Sequence, residues 1–214
     1  MANENEIIKQ LIRISICGNK PLVFNIKDVK TLRCEHHIVG SLQGTLARFP
    51  LQNSFYSLPL LLLPEEVVLL LKKGLGHCVS LEGAVWDYPT THQEQLKCIV
   101  YSYLWHKGYY ITCGAKFGGD YLIYPGDPMK FHGHFIVSVQ ERKSLWQLQD
   151  LIVMGRLAKN TKKTFVLASP SITTSSAFSM DHDKNNVKDG GNLDENNDIN
   201  DNQVECFSIV WAGF

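Results

Sequence analysis

Two side chains that can transfer protons lie at the two ends of a short loop in the middle of the chain. Tyr124 ends the β-prone run at 121–124, and the turn-forming sequence Pro-Gly-Asp-Pro follows it directly. An apolar run begins at 131, and His132 is its second residue. The pattern predicts a strand, a tight loop and a second strand over 131–139. Strand ends are rigid, so they can hold a phenol and an imidazole in place for acid and base catalysis.

A basic segment further along the chain supplies a third candidate. Lys163 follows Lys162 and directly precedes the apolar, β-prone run at 164–168. An ammonium group held at the start of a strand can stabilise negative charge that develops during a reaction. The sequence therefore offers a tyrosine, a histidine and a lysine, each close to the end of a predicted strand.

The order of these residues resembles the catalytic domain of the tRNA-splicing endonucleases, and more narrowly the eukaryotic subunit that cuts at the 3′ splice site. The resemblance rests on Tyr-Pro-Gly-Asp-Pro-x-x-Phe-His-x-His at 124–134, on Gly-Arg-Leu at 155–157 and on Lys-Lys-Thr at 162–164. It is dense over 91–168, resumes in the C-terminal strand, and is weaker in the N-terminal half, at 52–54 and 58–66.

This resemblance implies a tRNA-intron lyase that works without a metal or other cofactor. Cleavage of RNA in that way needs a base for the 2′-hydroxyl, an acid for the leaving 5′-oxygen and positive charge beside the phosphorus oxygens. The family pattern assigns these roles to Tyr124, His132 and Lys163 in that order, and the products are a 2′,3′-cyclic phosphate and a 5′-hydroxyl. An ordinary phenol loses its proton only near about pH 10, so a phenol that acts as a base at neutral pH needs a nearby cation. Lys163 can supply it, and the reversed assignment, with His132 as the base, stays open.

Four neighbouring residues are weighed beside these candidates. His134 lies two residues after His132, so on a strand it would share the same face and support the site. Asp127 is predicted to be a turn residue rather than a catalytic acid. Tyr121 and Lys162 remain alternatives that spacing alone does not exclude.

Arg156 and Trp211 match the pair with which the family clamps an RNA base. The resemblance places the arginine on or just after the second helix of the domain and the aromatic residue in the last strand. A guanidinium and an indole can sandwich an extruded base between them. The alternative roles are a cation at a helix end for Arg156 and an interface anchor for Trp211.

The order of the predicted elements favours an α/β fold of the mixed α+β kind, in two small domains. A chain of 214 residues with 44% hydrophobic composition can bury two such cores. We expect an N-terminal α/β domain over 1–85, a linker within 82–91 and a catalytic domain over 91–214. For the latter, the resemblance implies a restriction-endonuclease-like mixed sheet flanked by helices. The predicted helices cover 26–34, 64–73, 92–107 and 145–157, and the predicted strands cover 7–17, 21–25, 76–81, 109–112, 121–124, 131–139, 164–168 and 204–214.

The formal net charge is zero, but the charge is unevenly distributed. Residues 171–203 carry seven acidic side chains and two lysines, a net charge of 2 − 7 = −5, so the remainder carries +5. This segment is rich in Ser and Thr and then in Asn and Asp. Such a composition cannot bury enough apolar surface to fold, and it predicts a disordered insertion.

Further features bear on compartment and partners. The six cysteines form no Cys-x-x-Cys pair and are predicted to be reduced, mostly buried thiols of an intracellular protein. Cys34, His36 and His37 lack a fourth ligand at a familiar zinc spacing, and the apolar run at 58–63 is too short to span a membrane. The resemblance implies a nuclear heterotetramer that binds intron-containing pre-tRNA and whose C-terminal strand pairs with a structural subunit.

Two other functions remain as alternatives. The first is a non-catalytic structural subunit of the same assembly, against which the presence of all three candidate side chains argues. The second is a metal-dependent nuclease of restriction-enzyme type, because that class shares the expected fold. It predicts loss of activity in chelator, and no convincing acidic cluster lies near Lys163.

Overall fold

The computed structural model describes residues 11–44, 57–80, 83, 86–171 and 204–212. These residues form ten strands, four α-helices and one short 3-10 helix, and the chain divides into two compact units at Tyr88 and Pro89. Each unit combines one mixed five-stranded sheet with two α-helices, which confirms the predicted α+β class. Except for Ser171, the predicted insertion at 171–203 lies outside the described residues, as do 52–54.

The first unit is built on a sheet with the strand order β3-β4-β2-β1-β5. Its elements are β1 (Ile12–Cys17), β2 (Lys20–Val23), α1 (Ile26–Glu35), β3 (Ser41–Gly44), β4 (Ser57–Leu61), α2 (Pro64–Lys72) and β5 (Gly76–Ser80). Strands β1 and β5 are parallel, and the other neighbours are antiparallel. The side chain of Asn25 caps α1 by accepting a 3.0 Å hydrogen bond from the Lys27 amide.

Helix α2 begins where the sequence predicts it, with Pro64 at its first position. The carboxylate of Glu66 is fully buried and accepts hydrogen bonds from the amides of Leu63 (2.7 Å) and Gly40 (3.3 Å). A buried carboxylate must be hydrogen-bonded to be tolerated. Glu66 therefore closes the start of α2 and at the same time ties down the segment before β3.

The second unit, which carries the candidate residues, has the strand order β10-β9-β8-β7-β6. Its elements are α3 (His92–His106), β6 (Tyr110–Cys113), the 3-10 helix (Ala115–Phe117), β7 (Tyr121–Tyr124), β8 (Phe135–Val139), α4 (Leu148–Asn160), β9 (Thr164–Pro170) and β10 (Val204–Ile209). Strands β8 and β9 are parallel, and the other neighbours are antiparallel. Because β8 and β9 are parallel, both start at the edge of the sheet at which β7 ends.

The two helices of this unit cover different faces of its sheet. Ala158 of α4 packs in a core cluster with Leu122, Ile136 and Phe165, which lie on β7, β8 and β9. Helix α3 contacts β6, β8, β9 and β10. Tyr121 of β7 makes an edge-on ring contact with Tyr101 of α3, at 5.7 Å between centroids. Successive residues of a strand point to opposite faces, so α4 covers the Leu122 face and α3 the Tyr121 face.

Helix α3 is fixed at its start by a capping box. The Thr91 hydroxyl accepts from the Glu94 amide at 3.3 Å, and the Glu94 carboxylate accepts from the amides of Thr91 (2.9 Å) and Thr90 (2.8 Å). These hydrogen bonds lower the pKa of Glu94, the bond from the Thr91 amide most. An ion pair of 2.7 Å between Lys97 and Asp120 then joins the helix to the turn before β7.

The start of the strand predicted over 131–139 is placed too early, because β8 begins at Phe135. Asp127 makes a turn instead: its backbone carbonyl accepts from the amides of Lys130 (2.8 Å) and Phe131 (3.0 Å), and its carboxylate accepts from Met129 (2.8 Å). Gly126 lies so close to Phe131 that an added Cβ would be 2.6 Å from its ring. The apolar Phe131 therefore closes the loop and does not join the sheet. The prediction that Asp127 is a turn residue is confirmed.

The fourth helix and the last strand also differ from the prediction. Helix α4 runs three residues later than 145–157, because Leu145 is fully exposed and the turns that bury Gly155 and Ala158 continue to Asn160. Strand β10 pairs with β9 as far as Ile209, opposite Phe165. Trp211 was expected within this strand, but it lies beyond the strand end.

Two further points correct the sequence predictions, namely two strands of the first unit and the burial of the cysteines. Strands β3 and β4 had not been predicted. No disulfide joins the six cysteines, all of which are described, but only Cys98 is buried and three of them are exposed. In the described ranges no helix is long and apolar enough to cross a membrane.

Candidate active site

At one edge of the sheet in the second unit, strand β7 ends and its neighbours β8 and β9 begin. Ile123 of β7 pairs with Phe135 of β8, and Phe135 pairs with Thr164 of β9. The chain positions directly beyond this row are Tyr124, His134 and Lys163. Neighbouring strands are about 4.8 Å apart, so these three positions span roughly 10 Å across the edge.

Hydrogen bonds of the backbone hold this edge together. The His134 amide donates to the Ile123 carbonyl at 2.8 Å, and the His134 carbonyl accepts from the Thr164 amide at 2.9 Å. His134 thus connects all three strand ends through its main chain. Its side chain is exposed, and its ring contacts Phe135 edge-on at 6.2 Å between centroids.

Tyr124 is half-buried at the end of β7. Its side chain packs against the core cluster that contains Leu122 and Phe165, which places it on the face that α4 covers. Tyr110 of β6 is its partner in the register. A phenol carried by a paired strand end and packed on one side has little freedom to move, as a catalytic group requires.

His132 is exposed and lies in the loop before β8, not on the strand. Gly133 anchors it: this residue is buried, and a Cβ added there would lie 2.9 Å from the Leu122 side chain. A larger residue there would force either the loop or the Leu122 side chain to shift. The argument that His132 and His134 share a strand face does not hold, because both precede β8.

Tyr121, the alternative to Tyr124 as the catalytic tyrosine, is buried in the core. It is 2% exposed, and its hydroxyl donates to the Lys97 carbonyl at 3.2 Å. It therefore lies on the α3 face, away from the edge that carries Tyr124.

Helix α4 ends in a Schellman motif, which gives the neighbouring residues Lys162 and Lys163 different environments. The Lys163 amide donates to the Ala158 carbonyl (2.8 Å) and the Lys162 amide to the Lys159 carbonyl (3.0 Å). Lys162 has the positive φ of 54° that such a Schellman ending requires, a position that usually holds glycine. Lys162 is exposed, whereas Lys163 turns back toward the sheet and is half-buried.

The ammonium group of Lys163 is held from two sides. It donates to the Thr161 carbonyl at 3.0 Å and lies over the ring of Phe117, 4.8 Å from the ring centroid. Phe117 belongs to the 3-10 helix between β6 and β7. The sequence pattern predicts strands at 109–112 and 121–124 and no element between them, so Phe117 was not among the candidate residues. The available signal was a large aromatic side chain directly before two glycines in a segment of otherwise mostly small residues.

Arg156 and Trp211 are in direct contact. The guanidinium carbon lies 5.1 Å from the centroid of the indole ring, within the range of a cation–π interaction. Arg156 is exposed on α4, and Trp211 is half-buried after β10. A Cβ added at the adjacent Gly155 would lie 3.7 Å from the Trp211 side chain. Trp211 leaves the strand because it packs on α4 at Gly155.

Across the described part of the chain, no three side chains of His, Cys, Asp or Glu come together in a geometry that could hold a metal ion. Cys34, His36 and His37 are among these described residues and do not form such a group.

Two family models match the chain in succession. The model described as TSEN34-like, N-terminal domain, matches residues 12–81, and the model described as tRNA intron endonuclease, catalytic C-terminal domain, matches residues 95–176. The matches follow the two structural units. The second unit is thus of the tRNA intron endonuclease catalytic class.

Relatives of known identity agree with these matches. Human tRNA-splicing endonuclease subunit Sen34 is 39% identical over 85 residues, which are 40% of this chain and 27% of the human protein. Probable tRNA-splicing endonuclease subunit sen34 of Schizosaccharomyces pombe is 24% identical, with 94% of this chain and 97% of that protein covered. A tRNA-splicing endonuclease of Saccharolobus islandicus is 30% identical, with 74% and 90% covered.

This chain belongs to the tRNA-splicing endonuclease family. Its first unit is similar to the N-terminal domain of the Sen34 subunits. The match with the human and mouse Sen34 proteins spans 27% of their length.

Proposed function

We propose that the chain is the catalytic subunit of a tRNA-splicing endonuclease that cuts intron-containing pre-tRNA at the 3′ splice site. One observation carries this proposal: the loop with Tyr124 and His132 and the turn with Lys163 meet at one edge of the sheet, in a unit that matches the catalytic domain of this family.

The proposed reaction is an attack of the 2′-hydroxyl on the neighbouring phosphate. Tyr124 removes the proton of the 2′-hydroxyl, and His132 gives a proton to the 5′-oxygen that leaves. The phosphorus then carries a 2′,3′-cyclic ester, and the downstream strand ends in a 5′-hydroxyl. In the reversed assignment His132 is the base and Tyr124 the acid, and the same two protons move.

Lys163 supplies positive charge to the phosphorus oxygens that gain negative charge in the transition state. Its position supports this role, because it lies two strands away from Tyr124 at the same edge of the sheet. An ammonium has three donor hydrogens. One of them is used by the Thr161 carbonyl, which leaves donors for the substrate.

Arg156 and Trp211 are proposed to bind an unpaired base of the RNA. Their present separation of 5.1 Å is a closed state. A base stacked between them needs about 7 Å, twice the ordinary contact distance of about 3.5 Å. The base therefore replaces the direct contact of the two side chains. Arg156 is the partner that moves, because it is exposed while Trp211 packs on α4.

The edge strand β10 is proposed to pair with another subunit of a nuclear heterotetramer. Among the described strands it has β9 as its one neighbour and stands at the end of the sheet order. Phe207 and Val210 beside this edge are 60% and 76% exposed. An open strand edge with apolar side chains is suited to strand addition by a partner.

The test is cleavage of an intron-containing pre-tRNA by the complex assembled with its partner subunits. We expect a 2′,3′-cyclic phosphate at the 3′ end of the intron, a 5′-hydroxyl on the 3′ exon, and unchanged rates in chelator. Tyr124→Phe and Lys163→Ala should each abolish most 3′ cleavage and preserve 5′ cleavage by the same complex. Unchanged 3′ cleavage in both variants would favour the structural-subunit alternative, and loss of cleavage in chelator would favour the metal-dependent one.

A further inference from the structure

Phe117 has no role in the proposed chemistry, yet its ring lies directly beside the Lys163 ammonium. We propose that Phe117 is a positioning residue whose ring holds the Lys163 ammonium at the catalytic edge of the sheet. This inference rests on the proposed function, because it concerns how one of its catalytic groups is oriented.

The contact has the geometry of a cation–π interaction. The Lys163 nitrogen lies 4.8 Å from the centre of the Phe117 ring, and such interactions are significant within about 6 Å. The lysine stem has four rotatable bonds, so a free ammonium would occupy many positions. The ring and the Thr161 carbonyl, at 3.0 Å, together favour the observed position.

Phe117 is itself well fixed. Its amide donates to the Gly114 carbonyl at 2.8 Å, and its ring packs against the cluster that contains Ala158 of α4. The next residue, Gly118, has a φ of 70° and would place a Cβ 3.3 Å from the sulfur of Met154. The short helix is thus pinned between the sheet and α4, and Phe117 can act as a rigid support.

An aromatic ring orients an ammonium without neutralising it. A carboxylate in the same place would pair with the charge and compete with the phosphate for it. No acidic side chain of the described residues forms an ion pair with Lys163. The choice of a phenyl ring therefore keeps the positive charge available for the phosphorus oxygens, which is the property that catalysis needs.

The experiment compares two substitutions of similar size in the assembled complex. Phe117→Leu keeps an apolar side chain and removes the ring, whereas Phe117→Tyr keeps the ring. From the usual strength of cation–π contacts we expect Phe117→Leu to reduce single-turnover 3′ cleavage by about 5- to 30-fold. Phe117→Tyr should stay within about twofold of the wild type, with pre-tRNA binding and 5′ cleavage unchanged in both.

A double-mutant cycle with Lys163→Ala separates positioning from a general structural effect. If Phe117 acts through Lys163, adding Phe117→Leu to Lys163→Ala should not slow 3′ cleavage further. An equal loss in both backgrounds, or an equal loss in the Leu and Tyr variants, would overturn the inference. If Lys163→Ala itself cleaves normally, the proposed catalytic function fails, which this design distinguishes from failure of the Phe117 role alone.

Discussion

The guanidinium of Arg156 lies over the indole ring of Trp211, 5.1 Å from its centroid, although the two residues belong to a helix and to the chain after the last strand. Trp211 packs against α4 beside Gly155, where an added Cβ would lie at an ordinary contact distance of 3.7 Å from its side chain. The cation and the ring are thus already paired before any RNA binds. In the proposed clamp a base takes the place of the Arg156 contact, because Trp211 stays packed on α4.

This pairing predicts that both residues contribute to substrate recognition. Base stacking is worth about 1 to 3 kcal/mol, so Trp211→Ala should lower kcat/KM for 3′ cleavage by about 5- to 150-fold. Trp211→Phe should recover part of the loss. Arg142→Ala is the control, since it removes one cation from an exposed 2.8 Å ion pair with Glu205 on the same unit. A control as defective as Trp211→Ala would argue against the clamp.

The capping box of α3 predicts a pH dependence of stability. The hydrogen bonds to the Glu94 carboxylate lower its pKa in the folded protein. The stabilisation that Glu94 gives the folded protein is therefore complete above the pKa of this group in the unfolded chain, which is about 4.3. It is lost as the pH falls through the lower pKa of the folded state. Glu94→Gln should be less stable than the wild type near neutral pH, and the difference should shrink toward acid pH. Urea unfolding of both proteins from pH 7 downward measures this difference in the free energy of unfolding.

Thr91→Ala provides the comparison, because it removes the uncharged half of the same box. It should cost about 1 kcal/mol at every pH. If the gap between the wild type and Glu94→Gln stayed constant through the acid range, the carboxylate charge would have no role in the cap.

Much of the second unit follows from local signals in the sequence. The apolar spacing over 92–107 predicts α3, and the Pro-Gly-Asp-Pro run predicts the loop after Tyr124. Local patterns fail where a side chain has a tertiary role. Phe131 is apolar like a strand residue but closes a loop, and Trp211 is β-prone but packs on a helix.

The contact between Phe117 and Lys163 marks the limit of sequence reading. It joins a short helix after β6 to the turn before β9, and it exists only because the sheet order brings these segments together. No periodicity or spacing encodes such a pair. In the same way β3 and β4 are short strands, one of which contains Pro59, and their pairing partners define them better than their own sequences do.

The ending of α4 predicts a stabilising substitution. Lys162 has a φ of 54°, which costs a residue with a Cβ about 1 kcal/mol that glycine avoids. Lys162→Gly should therefore raise the free energy of unfolding by about 1 kcal/mol and leave 3′ cleavage unchanged. Lys162→Ala is the matched control, because it removes the same charge but keeps the Cβ. Stabilisation by both variants would point to charge rather than backbone strain, and loss of cleavage in either would restore Lys162 as a catalytic candidate.

For the two histidines before β8, we expect replacement of His132 to slow 3′ cleavage strongly and replacement of His134 to slow it only slightly. His132 and His134 are both exposed, so replacing either should leave the fold intact. His132→Ala should slow 3′ cleavage by about 10²- to 10⁴-fold, the usual contribution of a positioned acid or base. Precursor binding should change little, because RNA affinity comes mainly from phosphate contacts spread over the complex.

The effect of His134→Ala on 3′ cleavage should be milder, because this residue contributes to the structure through its main chain, which donates to Ile123 and accepts from Thr164. Single-turnover rates at both splice sites, with binding measured in parallel, check these expectations. Normal 3′ cleavage by His132→Ala, combined with a defect at the 5′ site, would contradict both the proton-transfer role of His132 and the splice site proposed for this chain.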